Sequence, residues 1–197
     1  IAQMFVLCVN ELDLSIGSFV SLVACITATW VYDTPLLGIA ALICLIAAYA
    51  MLGALIELRK LPSIVVTLGM SFVWLGLAVL VLPTPGGKAP EFIRTVMTLK
   101  PPYVPFPIIA SVVLALVVHL VLMRSAFGAV LRGAGGNPKS LERAGWSILR
   151  IKMTMFAFAG LFGVLSGMAL VGLTTSADAN IALRYTLLSI AGVILGG

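Results

Sequence analysis

Long apolar runs, each near the length that crosses a bilayer, follow one another through this chain with only short polar breaks between them. A hydrocarbon core needs about 20 mostly apolar residues per helix. By that measure, spans are predicted near residues 16–32, 36–56, 64–82, 107–123 and 153–175. A partial span starts near 184, and residues 1–9 read as the tail of another. Several are short, which suits tilted or broken helices. The runs also lack the strict alternation of barrel strands. With 61% hydrophobic and only 10% charged residues, the chain lies far from the quarter or so of charged residues found in soluble domains. The expected fold is an all-α, polytopic transmembrane helix bundle. Residues 1–197 are read as one transmembrane domain, a central piece of a longer polypeptide truncated at both ends.

The basic residues orient it. Arg59 and Lys60 occupy the 57–60 turn, and residues 124–152 carry Arg124, Arg132, Lys139, Arg143, Arg150 and Lys152 against the single acid Glu142. Two spans separate these segments, so both fall on one side, which the positive-inside rule makes cytoplasmic. Residues 83–106 and 176–183 are then external. Orientation accounts for the net charge of +5, and no nucleic-acid partner is needed to explain it. The external loop 83–106 holds Pro83, Pro85, Gly86, Gly87, Pro90, Pro101, Pro102 and Pro105, besides Lys88, Arg94 and Lys100. Proline fixes φ and removes a donor, so an irregular, stiff cap is expected there.

Two polar stretches stand out. In Val9-Asn-Glu-Leu-Asp-Leu-Ser-Ile-Gly-Ser18, two carboxylates lie between apolar runs. Acids within a membrane cost at least ~2.5–3.5 kcal/mol on insertion scales and are functional candidates. Asp13 is expected to cap a half-helix beginning at Leu14 or to contact solute, two compatible roles. Ser15, Ser18 and Ser21 fall near one face, and Gly17 permits close approach of another backbone. Thr67 and Ser63 either line the same path or bond to their own helix carbonyls. Glu11 is unassigned in this reading, with water as its candidate neighbour. In the second stretch, Gly135-Gly-Asn-Pro-Lys-Ser-Leu-Glu-Arg-Ala-Gly145, Asn137 suits an N-cap, Pro138 the first helical position and Gly145 a left-handed C′. A glycine-flanked helix of about two turns is expected, too short to be stable without something to pack on. Either a protein partner or anionic headgroups would serve.

Four blocks carry a family resemblance. Glu11-Leu-Asp-Leu-Ser-Ile-Gly17 resembles the G-G-I-D-L-S-V-G motif of ABC-importer permeases of the ribose-type sugar family. Leu61-Pro-Ser-Ile-Val-Val-Thr-Leu-Gly69 is similar to their V-P-S-F-I-V-T-L-G segment. Phe127 to Pro138, with Ala144-Gly145, resembles their G-x-x-x-R-A-x-G-x-N loop, and Ala191 to Gly197 the start of their A-x-V-I-G-G motif. The blocks occur in family order. Val9-Asn10-Glu11 replaces the usual G-G-I, and Trp146 departs from the register after Gly145.

The resemblance implies a pore-forming importer subunit in the bacterial inner membrane, with discontinuous helices and a short cytoplasmic coupling helix. Its solute would be a simple sugar or a similar molecule. Its partners would be a second permease, identical or not, two ATP-binding subunits and a periplasmic solute-binding protein. ATP and Mg would sit on the ATP-binding subunits, with no cofactor or metal in this chain. Glu11, Asp13, Ser15, Gly17, Ser18, Ser21 and Thr67 are the candidates for the translocation path or helix break. Gly135, Gly136, Asn137, Glu142, Arg143, Ala144 and Gly145 are the candidates for ATPase coupling. A branched-chain amino acid or nucleoside permease is the nearest alternative, and an ion-coupled carrier a more distant one.

Other motifs are weaker. Gly86-Gly-Lys88 lacks the earlier glycine (Leu82) and the Ser or Thr (Ala89) of a phosphate loop, and Gly133-Ala-Gly-Gly-Asn137 fails dinucleotide spacing. Cys8, Cys25 and Cys44 form no CxxC and read as packing residues. His119, the one histidine, offers no acid–base cluster, so catalysis has no candidate. Gly163 and Gly167 form a GxxxG that predicts tight helix packing within the subunit.

Overall fold

A computed structural model of the chain describes residues 1–99 and 104–196. It contains ten helices among those residues: α1 (Ala2–Cys8), α2 (Ile16–Ile26), α3 (Pro35–Arg59), α4 (Ser63–Val81), α5 (Glu91–Thr98), α6 (Phe106–His119), α7 (Ala126–Gly136), α8 (Pro138–Arg143), α9 (Ile148–Thr174) and α10 (Tyr185–Gly196). Two are prolonged by a π-helical turn, α2 through Thr27–Val31 and α6 through Leu120–Arg124. No strand occurs among the described residues; Gly86 and Ala177 exchange a single pair of backbone hydrogen bonds (3.0 and 2.8 Å). Four helices are long and apolar enough to cross a membrane: α3, α4, α6 with its π turn, and α9. This is a multi-pass, all-α membrane fold.

The bundle is organised around α2, whose residues from Ile16 to Ile26 are all buried. A helix that is apolar all round belongs in an interior, and here α4 and α9 flank it while α3 lies along α9. Small residues make the crossings close. A Cβ on Gly167 would lie 2.5 Å from Val23 Cγ1, and one on Gly163 2.8 Å from the Phe19 ring. Gly160 meets Tyr49 in the same way, at 2.8 Å. The GxxxG of α9 therefore packs within the subunit, against α2. Phe19, Tyr49, Trp74 and Phe156 fill the centre, with ring centroids 4.4 Å apart for Phe19–Tyr49 and 5.7 Å for Phe19–Trp74. By contrast α6 buries only Val118, and α4 turns Val65, Phe72 and Leu80 outward. His119 is exposed on α6.

The structure corrects the sequence reading at three places. First, α9 starts at Ile148, five residues before the predicted span, so Arg150 and Lys152 belong to its first turns rather than to a loop. The Ser147 hydroxyl caps it by accepting from the Arg150 N–H (3.4 Å), and Ile148 and Ile151 are buried, so packing begins where charge suggested solvent. Second, the region 83–106 is not wholly irregular. Its prolines fall at 83, 85 and 90 and again at 101, 102 and 105, and the proline-free stretch between folds as α5 behind Pro90. Ile93 and Met97 of α5 rest on Gly172 of α9, where a Cβ would approach them to 2.8 and 2.7 Å. Third, residues 126–136, expected as loop, form α7, with the Ser125 hydroxyl accepting from the Gly128 N–H (2.9 Å). Lys100, Pro101, Pro102 and Gly197 lie outside the described residues.

Candidate functional site: a helix break joined to a charged helix end

Residues 9–15 interrupt the chain between α1 and α2. Asn10 takes a left-handed conformation (φ 59°), and the backbone leaves the helical ladder. Freed N–H groups away from water must find partners, and α4 supplies two. The Leu12 N–H donates to Ser63 Oγ and the Leu14 N–H to Thr67 Oγ1, each at 3.1 Å. Thr67 also donates to its own helix at the Ser63 carbonyl (2.8 Å), so its hydroxyl joins the two elements.

Asp13 is fully buried at the centre of the break. Its Oδ1 accepts from both the backbone N–H and the hydroxyl of Ser15, each at 2.7 Å, and the Tyr49 hydroxyl donates to Oδ2. In the amide orientation that satisfies both groups, the Gln3 side chain bonds to the Asp13 backbone N–H and carbonyl at 3.2 Å. The expected half-helix cap is thereby corrected. The helix begins at Ile16 with Ser15 in the N-cap position, and Asp13 forms an Asx-type turn two residues earlier. The small residues of α2 close the other side: the Gly17 N–H donates to Thr186 Oγ1 and the Ala182 N–H to Ser21 Oγ, both at 3.0 Å. A Cβ on Gly17 would lie 2.2 Å from Thr186 Oγ1, so only glycine fits. Ser15, Ser18, Ser21 and Thr67 are all buried.

A cavity of about 540 Å³ lies among α2, α6, α9 and α10 and is lined mainly by apolar groups such as Val20, Leu114, Phe162 and Leu170. Of the seven residues expected along a path, only Gly17 reaches it. Asp13, Ser15 and Thr67 bond within the break, Ser21 accepts from the Ala182 N–H, and Ser18 is buried on α2.

Glu11, unassigned from sequence, has a partner. Lys152 of α9 places its Nζ 2.5 Å from Glu11 Oε1 and 2.9 Å from Glu57 Oε2 of α3. Lys60 holds the other Glu57 oxygen. The side chains of Glu11, Glu57 and Lys152 are at most 15% exposed, whereas that of Lys60 is 74% exposed. Beside this cluster lies a second cavity of about 410 Å³, whose far wall is formed by Gly135, Pro138, Lys139 and Glu142.

That wall is the α7–α8 segment. Asn137 Oδ1 accepts from the Ser140 N–H (3.1 Å), and Pro138 opens α8. Gly145 (φ 85°) closes it in a Schellman arrangement: the Gly145 N–H reaches the Glu142 carbonyl (3.0 Å) and the Trp146 N–H the Leu141 carbonyl (2.9 Å). Gly135 and Gly136 are the last residues of α7 rather than a free flank, since the helical pattern runs through them. Gly135 abuts the end of α1, where a Cβ would sit 2.3 Å from the Cys8 carbonyl oxygen. α8 buries no residue, and Glu142, Arg143 and Ala144 are exposed.

The sequence model of one family, described as "Branched-chain amino acid transport system / permease component", matches residues 2–197. The chain belongs to this permease-component family. Among similar family proteins, an L-arabinose ABC transporter permease protein of Azospirillum brasilense is 29% identical over 210 residues, covering the whole chain and 59% of that protein. A ribose import permease protein of Haemophilus influenzae is 25% identical over the whole chain and 64% of its own length. A fructose import permease protein of Rhizobium meliloti is 24% identical over the whole chain and 58% of its own length. The chain thus spans about three fifths of the length of these relatives. No solved structure matches it.

Within this permease component, sequence reasoning missed Tyr49, Thr186 and the clamp made by Lys152. Tyr49 was legible only as one hydroxyl in the apolar run of α3, and Lys152 counted as a loop cation. Their roles come from contacts across 36, 169 and 141 positions of chain.

Proposed function

We propose that the chain is the pore-forming part of an ATP-driven importer for a simple sugar or sugar-like solute. The observation that carries this reading is its similarity, over its full length, to arabinose, ribose and fructose permeases. In this reading residues 1–197 act as one transmembrane permease domain, with 124–152 as its coupling region and the α8 end facing the cytoplasm of a bacterial inner membrane. α8, capped at both ends and bare of buried residues, docks on an ATP-binding subunit. Two such subunits carry ATP and Mg, a second permease completes the pore, and a periplasmic binding protein delivers solute.

Asp13, Ser15, Ser21 and Thr67 hold the shape of the pathway instead of binding solute, because their polar groups are already bonded to protein. The motion of α8 reaches them through Gly135 on α1 and through Glu11. The family description favours a second reading, in which the solute is a branched-chain amino acid.

Uptake into vesicles reconstituted with the protein, its ATP-binding subunits and its binding protein tests both. Labelled L-arabinose, D-ribose or D-fructose is expected to accumulate with ATP, while L-leucine is not. Accumulation of leucine alone selects the second reading. Uptake that collapses with an uncoupler yet survives loss of ATP hydrolysis refutes both.

A further inference from the structure

The 410 Å³ cavity is electrically balanced but only partly paired. Its walls carry three acids, Glu11, Glu57 and Glu142, and three lysines, Lys60, Lys139 and Lys152. Glu11, Glu57, Lys60 and Lys152 pair with one another on the helix-end wall. On the α8 wall, Lys139 and Glu142 form no ion pair among the described residues.

The four paired groups are not equivalent. Lys152 bridges two acids, so its departure would leave Glu11 bare and Glu57 with Lys60 alone. Lys60 holds only Glu57, which keeps Lys152 on its other oxygen. Lys60 is thus the one cation of the cluster whose release leaves no acid unpaired. It is also the exposed one, and it closes α3 in a left-handed conformation (φ 50°). Exposed ion pairs contribute little net free energy, so exchanging one for another is nearly balanced.

We propose that α8 closes on the helix ends by exchanging partners: Glu142 takes Lys60, and Lys139 takes the Glu57 oxygen that Lys60 leaves. This deepens the coupling role proposed above and rests on it. The cavity supplies the travel, and the fixed Lys152 bridge passes the displacement from α3 to Glu11 and so into the break. Lys60 and Glu142 are positioning residues in this exchange.

Charge reversal in the complete complex tests the exchange. Lys60→Glu and Glu142→Lys are each expected to lower ATP hydrolysis stimulated by the binding protein by about tenfold, and the double variant to return within about threefold of the parent. Retention of the ATP-binding subunits on purification is read in parallel. Full retention with a double variant no better than its worse parent overturns the exchange while leaving docking intact. So do single variants with undiminished hydrolysis. A parent protein that retains no ATP-binding subunit overturns the docking reading itself, and the exchange with it. Where a reversal impairs membrane insertion, Lys60→Met and Glu142→Gln replace it. Losses that do not add in that double variant support the exchange, and additive losses refute it.

Discussion

A buried carboxylate with three donors around it explains more of this chain than any other single group. Asp13 ties Ser15 at the start of α2 to Tyr49 in the middle of α3. Tyr49→Phe removes one donor and leaves a buried carboxylate oxygen short of its partner. The expected loss is about 1–3 kcal/mol of stability, read as a lower thermal unfolding midpoint in detergent. Asp13→Ala removes the acceptor for Ser15 and Tyr49 together and is expected to cost more, with impaired assembly or transport; a fully active, equally stable variant would refute the role. Lys152 offers a second comparison. Glu11→Gln removes one acid from a bridge, whereas Lys152→Met leaves Glu11 without a cation and Glu57 with Lys60 alone. Lys152→Met is therefore expected to be the more destabilising, by about 1–3 kcal/mol after allowance for partial exposure, in the same melting assay.

At the scale of elements, glycines separate packed faces from open ones. Gly167→Leu forces a side chain into the α2–α9 crossing, where Val23 Cγ1 lies 2.5 Å from a bare Cβ. A loss of about 1–3 kcal/mol or more is expected from overpacking, with reduced yield of folded protein. Gly76 on α4 has open space around it, so Gly76→Ala is expected to be neutral or to stabilise by up to about 1 kcal/mol through helix propensity. α8 depends on its caps. Asn137→Ala should cost about 1 kcal/mol of local stability, read as faster proteolysis between α7 and α9. The caps of α8 were legible in the sequence because capping is local: Asn-Pro and a glycine seven residues after Pro138 suffice. The start of α9 was not, because burial of Ile148 and Ile151 is decided by helices far along the chain. Charge patterning placed Arg150 and Lys152 in a loop; both lie in the first turns of α9, Arg150 exposed and Lys152 drawn into pairs with Glu11 and Glu57.

For the whole molecule, hydropathy made the spans readable, since lipid demands long helices whatever their neighbours. It gave no means to see that α2, short and rich in small residues, would sit at the centre. Nor did it separate a polar path from a polar joint. The serines of α2 have the same spacing in either role, and only the position of Thr67, Ala182 and Thr186 decides which groups they meet. Sidedness is the global prediction. A single cysteine at Lys139 or Arg59, in a background without Cys8, Cys25 and Cys44, is expected to react with an impermeant reagent only from the cytoplasmic face. One at Lys88 or Arg94 is expected to react from the other. Labelling of Lys139 and Lys88 positions from one side would overturn the orientation.

The helix-end cluster holds two acids and two lysines, and the cavity beside it adds one of each. A membrane potential performs work on net charge moved through it, about 2.3 kcal/mol per elementary charge per 100 mV. A group that sums to zero crosses the same field with almost none. Rearrangement of this group alone therefore draws almost no work from the membrane potential.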